Sequence, residues 1–462
     1  MIKNHTSASS STIAAISTPQ AVGGIGIVRI SGPKAKEVAQ RVFTAKSGKQ
    51  LRNLKGYQAL YGTVYDGEER IDEAIALNFN APASYTGEDV VELSCHGGLY
   101  LMRRVLKAVF AAGAVPAAPG EFTRRAFLNG KIGLTEAESV MQLIGAQGEQ
   151  AAKVALAGHD GALEKNITEI REHLIQTAAH LSAWADYPEE DIPEISSDTL
   201  TATLAEAQSK LEHLLHQFDA GRVLREGVRT VIAGRPNVGK STLMNLLAGC
   251  ERSIVTEFAG TTRDVVEDTV LLGDVPLLLA DTAGIHMTQD PVEQIGVLRA
   301  REQIQQAQLV LAVFDSSQEL NEEDRELVDF LGDVPSIAVI NKSDLPTKID
   351  NEYIINKFKQ IVYISALKGS GLKELQKAVA ELLQTEQLNP EEGILFTERQ
   401  RDAARRANDC VKEAIQAVEH GVTLDAVTVS IEGAVSALLE LTGERATEAV
   451  VDSVFSHFCV GK

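Results

Sequence analysis

The chain has 462 residues, a length suited to two to four domains rather than one small module. Its 44 Lys plus Arg stand against 64 Asp plus Glu, a formal net charge of −20, which excludes a broadly basic nucleic-acid coat and leaves room only for a local basic patch. With 44% hydrophobic and 23% charged residues the composition is globular, and no apolar run reaches the ~18 residues of a membrane helix.

The polar, Ser/Thr-rich stretch Met1 to Thr12 has no apolar signal-peptide segment, so a frayed cytoplasmic terminus is expected. From Thr12 to Gly130, β-like runs alternate with turns: Ile25–Ile30, Glu73–Phe79 and Val90–Leu93, interrupted by one helical stretch, Leu101–Ala112. This predicts an α+β domain. From Leu134 to Arg225 the period becomes helical, with Leu163, Ile167, Ile170, Leu174, Ala178 and Leu181 at threes and fours, then Leu204, Leu211, Leu214 and Leu215. Tyr187–Pro193 reads as the loop between these helices. Val228–Ala233, Pro276–Ala280, Leu309–Phe314, Ser336–Ile340 and Ile361–Ile364 are short apolar runs separated by helices, the pattern of a parallel sheet covered on both faces. Thr397 to Phe458 is helical again, so an α/β domain is expected to sit inside a discontinuous helical one.

The four cysteines, Cys95, Cys250, Cys410 and Cys459, are far apart and form no Cys-x-x-Cys pair, which suits a reducing cytosol and disfavours a zinc knuckle. Three of them are expected to be small buried residues.

The run Val228–Ala233 leads into Gly234-Arg235-Pro236-Asn237-Val238-Gly239-Lys240-Ser241, then a helix from Thr242. Strand, Gly-x4-Gly-Lys-Ser and helix form the phosphate-binding loop. Its glycines let backbone N–H groups, including that of Val238, converge on phosphates; Lys240 would bridge the β- and γ-phosphates and the Ser241 hydroxyl would ligate Mg²⁺. Asp281-Thr282-Ala283-Gly284 follows the second strand: Asp281 would hold a Mg²⁺-bound water and the Gly284 N–H would meet the γ-phosphate. Asn341-Lys342-Ser343-Asp344 follows the fourth. The Asp344 carboxylate can accept from the guanine N1–H and 2-amino groups, donors that adenine does not offer. Ser365-Ala366-Leu367 after the fifth strand would add backbone contact to O6. In Gly260-Thr261-Thr262-Arg263-Asp264, Thr262 is the choice to complete the Mg²⁺ shell, which makes the segment a switch. Four motifs at strand ends, in order, imply a Ras-like P-loop GTPase domain.

Where Ras-like proteins place a Gln to orient the attacking water, this chain has Ile285, followed by His286. Asn237 can instead offer a neutral oxygen to a monovalent cation, and Glu293, in Asp290-Pro291-Val292-Glu293-Gln294, can polarise a water. On spacing alone each also reads as a solvated surface residue.

Three further segments complete the pattern: Gly23-Gly24-Ile25-Gly26-Ile27-Val28-Arg29-Ile30-Ser31-Gly32; Tyr85-Thr86-Gly87-Glu88-Asp89-Val90-Val91-Glu92 with His96-Gly97-Gly98; and Pro119-Gly120-Glu121-Phe122-Thr123-Arg124-Arg125-Ala126-Phe127-Leu128-Asn129-Gly130-Lys131. With Phe458-Cys459-Val460-Gly461-Lys462, the chain from Thr12 to Lys462 resembles the MnmE (TrmE) family of tRNA-modification GTPases. The resemblance implies a tetrahydrofolate-binding, dimerising α+β N-terminal domain at 1–131, an all-α helical domain at 132–226 and 385–462, and an inserted GTPase domain at 227–384. It implies folate contacts at Arg29, Glu92, Lys131 and Lys462, and Cys459 near the folate. It implies K⁺ ligands at Asn237, Thr256, Phe258 (through its carbonyl) and Thr261, and a catalytic Glu at Glu293. The implied cofactors are Mg²⁺, K⁺ and 5-formyl- or 5,10-methylene-tetrahydrofolate. The implied partners are GTP or GDP, a second copy, the flavoprotein MnmG and tRNA, with no membrane. Together the two proteins would add an aminomethyl-type group to C5 of the wobble uridine, with glycine or ammonia as the amine donor.

The chain departs from the family pattern at Gln20-Ala21-Val22, at His286 where Arg is common, and at Ala449. Glu92 suits the pterin amino and N3–H donors, while Arg29, Lys131 and Lys462 supply cationic donors. Without the resemblance, Arg29 reads as a strand-face residue, Lys131 as solvated and Lys462 as a tail. A ribosome-assembly GTPase would carry a basic RNA-binding appendage, and no Lys/Arg-rich segment of that kind is read. A static structural dimer would not need Lys240, Ser241, Thr262 and Asp281. The charge of −20 is compatible with a tRNA substrate if the partner supplies the positive surface, or if Arg399, Arg401, Arg405 and Arg406 supply part of it.

Overall fold

Seven strands make the first sheet: β1 (Ile13–Ile16), β2 (Gly26–Ser31), β3 (Phe43–Ala45), β4 (Gln58–Asp66), β5 (Glu69–Phe79), β6 (Val90–Cys95) and β7 (Val115–Pro116). Their order is β3-β4-β5-β6-β2-β1-β7, antiparallel except for the parallel β1–β7 pair. This is a computed structural model, and it describes residues 11–186, 196–249, 268–280 and 302–462. The chain divides into two units, one of Met1–Met141, Glu164–Gln208 and Asp402–Lys462, the other of Gln142–Leu163 and Ser209–Arg401.

In the first unit, alternation along the strands sorts the side chains. Val28, Ile30, Val91, Leu93 and Cys95 turn to one face, where helices Ala35–Val42 and Leu99–Ala111 bury them with Val38, Val105 and Val109. The intervening residues turn to the other face, and there register sets Arg29 of β2 directly opposite Glu92 of β6. The expectation of one helix in this region is corrected to three, since Glu121–Leu128 joins the two just named. Both missed helices have only eight residues, too short to show a sustained period. Helices Leu134–Gly145 and Glu448–Ser456 meet through Leu134, Ala137, Val451, Phe455 and Phe458.

The helical period from 163 to 214 is confirmed: Leu163, Ile167, Ile170, Leu174, Ala178, Leu181, Leu204, Leu211 and Leu214 are buried on helices Ala162–Asp186 and Ser197–Glu226. Tyr187–Pro193 lies outside the described residues.

The second unit holds a six-stranded sheet: β8 (Val228–Ala233), β9 (Asp268–Leu272), β10 (Val275–Leu279), β11 (Leu309–Asp315), β12 (Ser336–Asn341) and β13 (Gln360–Tyr363). The order is β13-β12-β11-β8-β10-β9, parallel except for the β9–β10 hairpin. All seven residues of β11 are buried. One face packs Ile232, Leu243, Leu311, Val339 and Leu375, the other Val231, Phe314, Val328, Ile340 and Phe358. The five expected strands are present, and β9 adds an antiparallel edge. Among the described residues no helix is long and apolar enough to cross a membrane.

Candidate functional site

β8 ends at Ala233, and the loop from Gly234 to Gly239 turns into helix Lys240–Ala248. Gly234 and Gly239 have φ of +154° and +98°, and a Cβ on Gly239 would collide with Asn341 Nδ2, so the backbone path requires glycine. Ser241 and Thr242 are exposed at the helix N-terminus, where free N–H groups and the helix dipole favour an anion. Lys240 reaches back over the loop, its Nζ donating to Gly234 O at 2.6 Å and Arg235 O at 2.9 Å. Burial pushes its pKa down, opposed by Glu323. Beside it, Arg235 pairs with the buried carboxylate of Asp324 at 3.1 Å.

Three residues from the end of β12 organise the neighbouring loops. Asn341, 2% exposed, donates from Nδ2 to Val238 O at 2.8 Å and accepts at Oδ1 from the Ala366 N–H at 3.0 Å. Its amide therefore ties the phosphate loop to the 365–366 turn. Lys342 donates to Asn237 O at 2.8 Å and to Asp315 Oδ2 at 2.6 Å. Burial raises the Asp315 pKa, but hydrogen bonds from Lys342 and Ser317 outweigh it and hold the carboxyl below its usual value. The Ser365 hydroxyl donates to Asp344 Oδ1 at 2.7 Å, and Lys368 stands 3.5 Å from Oδ2. Above all the hydrogen bond from Ser365 holds the Asp344 carboxyl below its usual range.

A second constellation lies on the open face of the seven-stranded sheet. Arg29 Nε donates to Glu92 Oε1 at 2.8 Å, and Arg29 Nη1 donates to Gly461 O at 3.3 Å. The guanidinium lies 5.8 Å from the Tyr85 ring centroid and 5.5 Å from that of Phe122. Residues 459–462 are threaded into this face. Val460 bridges Pro119, the Gly120 N–H donates to Cys459 O at 3.3 Å, and the Phe122 N–H donates to Lys462 O at 3.1 Å. A Cβ on Gly461 would collide with Ile16 O. Burial pushes the Lys462 ammonium pKa down, Arg29 adds to that, and Glu92 and Cys459 oppose it.

Helix Glu121–Leu128 clamps the 82–89 loop over the cluster. Tyr85 Oη and Thr123 Oγ1 share a hydrogen bond at 2.9 Å, and Asn129 Nδ2 donates to Thr86 O at 2.7 Å. Arg125, 4% exposed, pairs with Glu88 at 3.1 Å and Glu121 at 2.8 Å.

Comparison with known proteins places both constellations within regions matched by family models. Residues 12–131 match the model of the GTP-binding protein TrmE N-terminus, and residues 134–459 match that of the MnmE helical domain. The "tRNA modification GTPase MnmE" of Alkaliphilus metalliredigens is 40% identical over 98% of this chain and 99% of that protein. That of Natranaerobius thermophilus is 41% identical over the same shares, and that of Clostridioides difficile 40% identical, again over 98% and 99%. The chain belongs to the MnmE family of tRNA modification GTPases. Among solved structures, Aquifex aeolicus Era bound to GDP.AlF4- is 31% identical, covering 40% of this chain and 66% of that one at a TM-score of 0.29. Membership of the MnmE family makes the chain a GTP hydrolase and implies Mg²⁺ and guanine-nucleotide use; its own strand β8, glycine loop and helix Lys240–Ala248 form the P-loop.

Of the residues named from sequence, the structure brings Arg29, Glu92 and Lys462 together, with Cys459 exposed in the same terminal segment. Lys131 donates instead to Pro82 O at 3.2 Å, on the loop that carries Tyr85. Asn237, Val238, Gly239, Lys240, Ser241 and Thr242 share the phosphate loop with the adjoining helix start, and Asn341, Lys342, Asp344, Ser365 and Ala366 flank it. Thr256, Phe258, Thr261, Thr262, Asp281, Gly284, His286 and Glu293 lie outside the described residues, as does Cys250. Cys95 is buried and Cys410 intermediate.

Tyr85, Phe122 and Arg125 were not assigned to the site from sequence. The signal was present in the family-bearing segments that contain them, but an aromatic there reads equally well as core. In the Arg399 to Arg406 stretch, Arg401 pairs with Glu398, Arg405 with Asp402 at 3.3 Å and Arg406 with Glu440 at 2.6 Å, so part of its charge is neutralised within the chain.

Proposed function

We propose that this chain is a K⁺-stimulated GTPase that works with an MnmG-like flavoprotein to add a carboxymethylaminomethyl or aminomethyl group to C5 of the wobble uridine of certain tRNAs. The observation that carries the reading is family membership over 98% of the chain, with both constellations assembled from the family's own segments. The domain reading stays as the sequence suggested: a folate-binding, dimerising domain at 1–131, helical halves at 132–226 and 385–462, and the GTPase domain at 227–384.

For hydrolysis, loop N–H groups and Lys240 hold the β- and γ-phosphates, and water displaces GDP from the γ-phosphorus to release phosphate. Mg²⁺, when bound, neutralises charge on the β- and γ-oxygens; the exposed Ser241 hydroxyl fits it, with Thr262 and Asp281 as the further candidates. Asn237, exposed at the lip of the loop, fits a K⁺ ligand through its side-chain oxygen, with Thr256, Phe258 and Thr261. That cation would supply the charge an arginine finger otherwise brings when two GTPase domains meet. Glu293 positions the water. Asp344, held as a carboxylate by Ser365, selects guanine.

The second constellation fits a reduced folate. Glu92 accepts from the pterin amino and N3–H donors, and the cations of Arg29 and Lys462 beside it keep it ionised and donate to the ring's acceptor atoms. Arg29, Glu92, Lys462 and, from the loop edge, Lys131 bind it, and Cys459 lies beside them. Tetrahydrofolate, when bound, supplies the one-carbon unit. The assembly is read as a cytoplasmic heterotetramer of two copies with two of the flavoprotein.

Mass analysis of tRNA nucleosides from cells lacking the protein tests the reading. The modified wobble uridine is expected to disappear and to return with the wild-type gene. An unchanged nucleoside profile overturns it. Hydrolysis is expected to be faster in K⁺ than in Na⁺, with the difference lost in Asn237→Ala; equal wild-type rates overturn the cation mechanism.

A further inference from the structure

Between Glu37 and Asp66 the chain carries five cations, Arg41, Lys46, Lys49, Arg52 and Lys55, and no carboxylate, in a protein whose net charge is −20. Arg41, on helix Ala35–Val42, is engaged by Ala112 O, to which it donates at 2.8 Å. The other four lie on the connection between β3 and β4, and all four are exposed.

This connection is a built surface. Leu51 is fully buried, its N–H donating to Gln40 Oε1 at 2.6 Å, and Leu54 packs against the same core. The 3-10 turn Leu51–Asn53 therefore drives its apolar residues inward and leaves Arg52 outside, with Lys49 and Lys55 three residues to either side. Asn78 Nδ2 donates to Lys55 O at 3.2 Å, and the Tyr57 N–H donates to Asn78 O at 2.7 Å.

Aromatic rings flank the cations. Tyr57, at φ +61°, is 68% exposed and braced edge-on by Phe79 at 5.6 Å between centroids. Tyr61 is 49% exposed, with Lys46 Nζ 4.5 Å from its ring centroid. The acid facing this surface is Glu73, shared by Lys46 at 3.1 Å, Arg70 at 2.9 Å and the Tyr61 hydroxyl, so the surface stays net positive. Among the described residues Lys49 and Lys55 enter no ion pair, and Arg52 donates only to Gln50 at 2.7 Å.

We propose that the segment from Lys46 to Tyr57, with Tyr61 beside it, is a contact surface for the phosphate backbone of the tRNA substrate. This rests on the reading of the chain as a tRNA-modifying GTPase. Cations with unspent charge neutralise phosphates, and an exposed, rigidly held tyrosine offers a ring face to an unstacked base. An acidic protein would use the cations and leave Tyr57 without a role.

The test is binding of the full chain to an unmodified tRNA transcript with a wobble uridine, by fluorescence anisotropy across a salt series. Lys49→Glu/Arg52→Glu/Lys55→Glu is expected to weaken binding at least tenfold at roughly 0.1 M salt and to flatten the slope of log K against log salt by about two to three. The milder Lys49→Gln/Lys55→Gln is expected to weaken it severalfold, and Tyr57→Ala to weaken it with the slope unchanged. Basal GTP hydrolysis reports that each variant is folded and is expected to stay at the wild-type rate. Unchanged affinity and slope in both charge variants, or no measurable binding by the wild-type chain, overturns the proposal.

The same variants are returned to cells lacking the protein. Full restoration of the modified nucleoside by the triple-Glu variant overturns the surface and leaves the function standing. A deletion that changes no tRNA nucleoside overturns the function itself. Normal tRNA affinity with failed restoration assigns the surface to an acidic protein partner and overturns the RNA contact.

Discussion

Single atoms decide what each site accepts. Asp344 has its Oδ1 engaged by Ser365 at 2.7 Å and keeps its remaining lone pairs for a base. In Asp344→Asn the amide oxygen still accepts from N1–H, but the new NH₂ faces the guanine 2-amino group, donor against donor. GTP affinity is expected to fall by roughly two orders of magnitude or more. Xanthosine triphosphate, with a carbonyl at C2, is expected to gain affinity, and competition for a fluorescent nucleotide measures both. Equal loss for the two nucleotides would show that Asp344 does not read the base. The thiols give a second contrast. Burial, with Asp72 adding to it, pushes the Cys95 pKa up to about 12, whereas Cys459 is exposed. At pH 8 only about one Cys95 side chain in 10,000 is thiolate, so alkylation of the folded chain is expected to label Cys459 and spare Cys95 until the protein is unfolded. The sign of the linkage follows. An unfolded thiol ionises near about 8.5, so the unfolded state sheds its proton first and this contribution to stability is lost as pH rises from there toward 12.

At the scale of elements, helix Glu121–Leu128 is what turns three separate segments into a site. Its Phe122 ring lies under Arg29, its Thr123 holds Tyr85, and its Arg125 neutralises Glu88 and Glu121. Arg125→Ala leaves those two carboxylates facing each other in a largely water-excluded place. A loss of about 3–5 kcal/mol is expected, read by chemical denaturation of the first unit, with folate affinity falling as the 82–89 loop is released. A melting curve like that of the wild type would show the clamp to be decorative. The helix is also instructive about what a sequence discloses. β8, the phosphate loop and the strand ends at Asn341 and Ser365 are legible because their chemistry is local: a few adjacent residues state both the turn and the ligand. The long helices are legible because Leu163 to Leu181 repeat over several turns. Helix Glu121–Leu128 is not, since eight residues are too few to establish a helical period. The Arg29–Glu92 pair depends on β2–β6 register, and register is a property of the sheet rather than of either strand. Without family resemblance no spacing would join Arg29 to Gly461, which are 432 positions apart.

At the scale of the molecule, that long separation is itself the design. Residues 459–462 return to the first sheet. There Gly461 O accepts from Ser17 at 3.1 Å and from Arg29 at 3.3 Å, while Cys459 O and Lys462 O accept from Gly120 and Phe122 at 3.3 and 3.1 Å. The first unit's sheet is thus joined by the end of the chain, and the cluster of Arg29, Glu92 and Lys462, proposed above to bind folate, is incomplete until the last four residues are in place. The second unit carries its own two-faced core around β11. Deleting residues 459–462 is therefore expected to act on one unit alone. Four backbone-directed hydrogen bonds at roughly 0.5–1.5 kcal/mol each amount to about 2–6 kcal/mol, enough to lower the first unit's thermal transition by about 5–20 °C. Binding of 5-formyltetrahydrofolate, followed by calorimetry, is expected to weaken at least tenfold, because Lys462 is gone and Arg29 loses one of the two acceptors that orient it. Affinity for GTP, measured on the same sample, is expected to stay within twofold of wild type. Unchanged folate affinity would remove Lys462 from the site, and a parallel fall in GTP affinity would show that the terminal segment supports the whole chain rather than the first unit.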